Sequence, residues 1–197
     1  MKIGIVNMTG FPEGIKYVIK SIIDLGHQPI IFEYTTSNEI LNKIMLSDIK
    51  KWIFSGSPHM VIDTTSPVVP LEIFNLKHKQ FILICYSMES VLYQFGLPIK
   101  KRYENKEENF NLIINKKKIE ELHKQDIFIG LPMKLRLRRN HHYYIPNNFK
   151  KYNNLELVSS YRRESMLLFY KNAILLQFHP ERTSDGYKII ANWINSS

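Results

Sequence analysis

The sequence predicts an α/β fold: a mostly parallel central sheet with flanking helices, continued by an antiparallel extension in the C-terminal half. Three observations predict it. Short apolar runs alternate with amphipathic stretches through the first half of the 197 residues, the pattern of strand–helix–strand units. Gly26 and Gly96 stand where helical stretches stop, as helix ends commonly require. The second half holds several strand-like runs with few helices between them, which suits antiparallel neighbours rather than helical crossovers.

Residues 2–7 read as a buried strand and 15–25 as a helix ended by Gly26. A second strand over 29–32 leads into a short helix over 39–46. Residues 51–54 form a third strand, stopped by the turn-forming cluster Ser55-Gly56-Ser57-Pro58. Residues 81–84 are a fourth strand, followed by a helix over 86–95 that Gly96 closes. The runs 110–114, 133–138, 155–160, 166–169 and 173–178 read as strands. A last helix over 186–194 turns Ile189, Ile190 and Trp193 inward. The whole reads as one domain over 1–197, a usual size for a single α/β unit, with a flavodoxin-like sheet. Ligands of such sheets sit beyond the carboxyl ends of the parallel strands. Gly56 and Cys85 both fall just after a predicted strand end, so the fold brings them to one edge.

Composition narrows the function classes. A hydrophobic fraction of 44% is that of a globular chain, and no run approaches the ~20 apolar residues of a membrane span. The first residues, Met-Lys-Ile-Gly-Ile-Val, are too short and strand-like for a signal peptide. A lone cysteine cannot close an internal disulfide, which points to a reducing, cytoplasmic setting. The net charge of +9 raises the question of nucleic acid, but its distribution argues against that partner. Between Lys100 and Lys124 the lysines mix with Glu104, Glu107, Glu108, Glu120 and Glu121, as on a solvated face. The tighter cluster Lys134, Arg136, Arg138 and Arg139 fits a protein partner or an anionic small molecule.

Cys85 follows four apolar residues and precedes a helical stretch. A thiol at such a strand-to-helix turn is lifted into a cleft, and the helix N-terminus favours its thiolate; the plain alternative is an inert core cysteine. Gln177-Phe178-His179-Pro180-Glu181 follows another apolar strand. His179 and Glu181 are two apart, so both side chains can aim the same way. The carboxylate can then hold one imidazole nitrogen while the other meets a nucleophile.

These pieces resemble, in order, those of the class I, or triad, glutamine amidotransferases. Residues 52–58 (Trp-Ile-Phe-Ser-Gly-Ser-Pro) look like the family's oxyanion strand-turn. Residues 82–89 (Ile-Leu-Ile-Cys-Tyr-Ser-Met-Glu) look like its nucleophile elbow, and 176–181 (Leu-Gln-Phe-His-Pro-Glu) like its His-Glu segment, with Gly186 beyond it. Within the family, residues 126–132 followed by Leu135-Arg136-Leu137 resemble the stand-alone glutaminase subunit of GMP synthase. The resemblance implies a Cys85–His179–Glu181 triad and an oxyanion hole around Gly56, Ser57 and Tyr86. It also implies substrate contacts from Glu89, Asn140 and His141. The activity implied is hydrolysis of glutamine to glutamate and ammonia, with ammonia handed to a partner synthase. No cofactor or metal is expected.

Some positions depart from the family pattern. Leu83 and Ser87 stand where glycines flank the nucleophile, so crowding of the turn is expected. Ser57 replaces a glycine of the oxyanion turn. Tyr143 and Tyr144 replace acids. Glu89 replaces a glutamine; a carboxylate there cannot donate to a carbonyl, and its charge would oppose thiolate formation. The alternatives are a hydrolase of another γ-glutamyl compound, with Glu89 meeting a cationic group, or a catalytically impaired binding or regulatory relative.

Overall fold

The computed structural model describes residues 1–102, 107–149, 152 and 154–196. In the first half β1 (Lys2–Asn7), β2 (Gln28–Glu33), β3 (Lys51–Phe54) and β4 (Gln80–Ile84) alternate with α1 (Lys16–Asp24), α2 (Ser37–Leu46) and α3 (Tyr86–Gln94). Then come β5 (Lys100–Lys101), β6 (Glu108–Ile113), α4 (Lys116–Glu121), β7 (Lys134–Arg139) and β8 (Tyr143–Tyr144). β9 (Leu155–Tyr161), β10 (Glu164–Tyr170), β11 (Ala173–Leu176) and α5 (Ser184–Asn195) complete the chain. Gly26 and Gly96 take φ values of 76° and 75°, the left-handed backbone expected just past a helix.

Seven strands form the main sheet in the order β2-β1-β3-β4-β11-β10-β9. The first five run parallel, and β10 and β9 add antiparallel to that edge. The expected extension is therefore a continuation of the same sheet. Beside it, β6 and β7 form a separate antiparallel ribbon, and β5 pairs with β8.

Alternation along each parallel strand divides the core into two faces. Ile3, Ile5, Ile53, Ile82 and Ile84 meet α1, α5 and the β6–β7 ribbon. Val6, Trp52, Phe54, Phe81 and Leu83 meet α2 and α3. Gly4 lies flush under Trp52, where an added Cβ would come 2.3 Å from the ring.

Two expectations are corrected. The strand read over 173–178 stops at Leu176: Gln177 N still donates to Met166 O of β10, but the chain then turns to β7, where His179 N donates to Arg138 O. The short helix α4 was not legible: its run Lys-Lys-Lys-Ile-Glu-Glu buries only Ile119, and Asn115 caps it. Two of the four basic residues on β7 are paired with acids, while Lys134 and Arg136 are exposed. Arg139 is fully buried and pairs with Glu108 and Glu164, while Arg138 holds Glu107 at 2.7 Å. Glu104 lies outside the described residues.

Candidate active site

Four chain segments meet at the carboxyl edge of the parallel strands: Met8–Thr9 after β1, Ser55–Ser57 after β3, Cys85 after β4, and Gln177–Glu181 after β11. Hydrogen bonds lock them together. Met8 N donates to Ser55 Oγ at 2.9 Å, Cys85 N to Leu176 O at 2.6 Å, and Ser87 Oγ to Ser55 O at 2.6 Å. The two serines thus tie the turn after β3 to the first turn of α3, a role the sequence did not disclose.

Cys85 has φ 50° and ψ −107°, a strained backbone for a residue with a side chain. The turn forms despite Leu83. That side chain does not crowd the elbow; it is fully buried on the α2–α3 face, in register between Phe54 and Leu175. The thiol is 4% exposed and lies directly below Gly56, where an added Cβ would stand 3.5 Å from Cys85 Cβ and 3.1 Å from His179 Cε1. Glycine at 56 therefore leaves room beside the imidazole, which lines the cleft, while Cys85 lies behind it and is not among the cleft-lining residues. The Sγ–H faces Asn140 O at 3.7 Å, and the Tyr86 amide bonds the sulfur.

His179 and Glu181 are joined by a 2.8 Å bond between Nδ1 and Oε1, and His179 N donates to Arg138 O at 2.9 Å. The ring interacts directly with the Cys85 thiol. Burial pushes the Cys85 thiol up, and the bond from His179 works against that rise. Burial pushes His179 down, but the Glu181 charge and Cys85 carry it well above the usual histidine value. The rise of His179 is the direction its geometry supports, because Glu181 sits in hydrogen-bond contact. Glu181 thus strengthens the imidazole as a proton acceptor beside the sulfur.

Pro180 between them packs against α5. An added Cβ at Gly186 would fall 2.3 Å from Pro180 O, a clash with backbone. Gly186→Ala is expected to cost about 1–3 kcal/mol of stability and to displace the His179–Glu181 turn. A thermal melt equal to that of the wild type would refute this.

The remaining expected site residues divide. Gly56, Ser57 and Asn140 line an open cleft of about 410 Å³ together with His142, His179 and Glu181; Lys16 and Arg182 border it. Tyr86 sits with its amide at the sulfur and its hydroxyl on Pro67 O, 2.6 Å away. Tyr143, on β8, directs its hydroxyl to Met60 Sδ.

His141 is a correction. It is 3% exposed and its Nε2 bonds Glu164 at 2.9 Å, so it faces the ion network beneath β7 while His142 lines the cleft. β7 ends at Arg139; past it the Asn140 carbonyl faces the sulfur, and His141 turns inward to Glu164 beside the buried Arg139. Burial pushes His141 down to about 4, so at neutral pH it is a neutral donor to Glu164. Its bare Nδ1 has no partner among the described residues.

Glu89 is a second correction. It is 4% exposed, and Gln177 Nε2 donates to its Oε1 at 2.7 Å. Burial pushes its carboxyl up to about 8, so at neutral pH it is an uncharged acid. It neither opposes the thiolate there nor stands open to a cationic group. Gln177, which the sequence offered only as part of a motif, proves to touch both Glu89 and the sulfur, 3.9 Å from Nε2. Among the described residues no group of histidine, cysteine and acids is arranged to hold a metal ion.

A family model described as Glutamine amidotransferase class-I matches residues 13–195. The GMP synthase [glutamine-hydrolyzing] of Borrelia garinii is 29% identical over 184 residues, covering 90% of this chain and 32% of that protein. The same enzyme of Borreliella burgdorferi (strain N40) is 30% identical over 184 residues, covering 90% of this chain and 33% of its own length. This chain thus spans about a third of the length of these curated relatives. Among solved structures, a protein of Thermoplasma acidophilum described as a GMP synthase subunit superposes with a TM-score of 0.72. It shares 19% identity, over 99% of this chain and 92% of that one. PurLQS from Thermotoga maritima gives a TM-score of 0.67 at 14% identity, over 98% of both chains. At these identities the two structures establish a shared fold.

Proposed function

The chain belongs to the class I glutamine amidotransferase family, and on that premise we propose that it is a glutaminase unit working through Cys85, His179 and Glu181. The observation that carries the proposal is the meeting of a strained, buried cysteine at the end of β4 with a cleft-lining imidazole steadied by its near-neighbour carboxylate.

In this reading the Cys85 proton passes to His179 as Sγ attacks the side-chain amide carbon of glutamine. The S–C bond forms and the carbonyl electron pair moves onto oxygen. Backbone N–H groups at Gly56, Ser57 and Tyr86 receive that oxyanion, a contribution of about 3–4 kcal/mol per donor. As the oxyanion collapses, the C–N bond breaks and nitrogen leaves as ammonia with the proton from His179. His179 next takes a proton from water, and the resulting hydroxide attacks the thioester carbon. The S–C bond breaks, glutamate departs, and the sulfur recovers its proton. Glu181 keeps the ring oriented and stabilises its charged form. Ammonia then passes to a partner synthase of the GMP synthase kind, which supplies the acceptor chemistry.

Cys85 is the one thiol in the chain, so labelling is unambiguous. A chloroketone analogue of glutamine is expected to add one mass increment at Cys85, to be slowed by free glutamine, and to leave Cys85→Ser unmodified. Labelling indifferent to glutamine would sink the reading.

A further inference from the structure

Beneath the proposed nucleophile, one buried amide touches both the sulfur and an acid. Glu89 sits one helical turn after Cys85, and its N–H donates to Cys85 O at 3.1 Å. Gln177, fully buried, directs Nε2 to Glu89 Oε1 at 2.7 Å and to Cys85 Sγ at 3.9 Å. Its Oε1 is buried with no partner among the described residues. A half-turn of the amide would place that acceptor opposite Glu89, where a protonated carboxyl can donate to it. The pair can therefore be satisfied with the acid in either proton state.

We infer that Glu89 and Gln177 form a proton-sensitive positioning pair for Cys85: while Glu89 keeps its proton it adds no charge against ionisation of the sulfur, and once Glu89 loses it the thiolate is suppressed. This rests on the reading of Cys85 as the nucleophile. The titratable groups facing Glu89 are Cys85 and Tyr86 at the start of α3 and His179 from the segment after β11. Tyr86, held up at about 12 mainly by burial, stays neutral through the working range. His179 favours the charged form of Glu89, and burial opposes it more strongly. Glu89 thus changes charge within the pH range where a glutaminase thiolate must act. Its negative charge then raises the thiol further, so less thiolate is present at a given pH.

The sign follows directly. Below the Glu89 transition, wild type and Glu89→Gln have the same charge at this position. Above it, only the wild type carries the opposing charge. The test is the rate of Cys85 alkylation by iodoacetamide on the full chain, followed by mass from pH 6 to 10 without glutamine. The Glu89→Gln to wild-type rate ratio is expected to be near 1 at pH 6. It should rise to about tenfold near pH 9, the effect of about one pKa unit. Gln177→Met removes the donor that favours the Glu89 carboxylate, so its alkylation profile should keep rising to higher pH before it flattens. A flat ratio for Glu89→Gln overturns the inference, and so does a flattening point unmoved by Gln177→Met. If Glu89→Gln fails to fold, the Gln177→Met profile decides alone. Because no glutamine is used, the readout is separate from glutaminase activity. Failure of glutamine to protect Cys85 would refute the proposed function and leave this pair standing.

Discussion

His179→Ala is expected to lower the kcat for glutamine hydrolysis by about 10³-fold while moving KM little. The imidazole handles the proton in both halves of the proposed reaction, taking it from sulfur, delivering it to ammonia, then drawing it from water. Each transfer is made in a transition state, so its loss falls on kcat. The ring is held by Glu181 at 2.8 Å, while the backbone N–H of His179 donates to Arg138 O at 2.9 Å, and removal of the ring leaves the sulfur without the partner that favours thiolate. Cys85 alkylation at neutral pH should slow in the same variant. Ammonia release within threefold of the wild type would mean that the triad is wrongly assigned.

Arg139→Met is expected to cost about 3–5 kcal/mol of folding stability, read from the denaturant midpoint. Arg139 is fully buried between Glu108 and Glu164, and Arg102 reaches the same two acids. Removing one cation from such a cluster leaves carboxylates dehydrated and undercompensated, which is worse than never burying them. The double variant Arg139→Met/Glu164→Met should therefore recover part of the loss. A single-variant cost below about 1 kcal/mol would show that the cluster is hydrated and weak.

The network also sets a pH dependence. His141 is held at about 4 in the fold against about 6.5 when unfolded. As pH falls from 6.5 through 4 the unfolded chain binds this proton first, and stability is lost by about 3 kcal/mol in all. Glu164 acts in the same sense. Burial raises it, but its bond to His141 and the charges around it, Arg139 and Arg102 among them, leave it below the usual carboxylate range. Its contribution is present above the unfolded value and is lost as pH falls. Activity should follow, because β7 and the residue after it carry Arg138 O and Asn140 O, which face His179 N and Cys85 Sγ.

Much of the site was legible because its parts are local. A strand that ends at Cys85, a helix that begins at Tyr86, and an acid two residues after His179 are all short-range patterns. The Gly56 turn after β3 was equally readable, since strand ends in a parallel sheet converge on one edge. What could not be read was the environment of each group. Leu83 stood where glycine was expected, yet its side chain found the α2–α3 face and the elbow formed. His141 carried the motif position, yet its bond to the buried Glu164 turned it inward and left His142 at the cleft.

By itself, then, the sequence determined the alternation of strands and helices and offered Cys85, His179 and Glu181 as the proposed reacting side chains, because periodicity and chain adjacency are written residue by residue. Tertiary structure alone decided that Gln177 meets Glu89 across 88 residues, that Glu164 gathers Arg102, Arg139 and His141, and that Glu89 holds its proton at neutral pH. Those outcomes depend on burial and on partners brought near by the strand order, and a charge takes its meaning from what surrounds it in space.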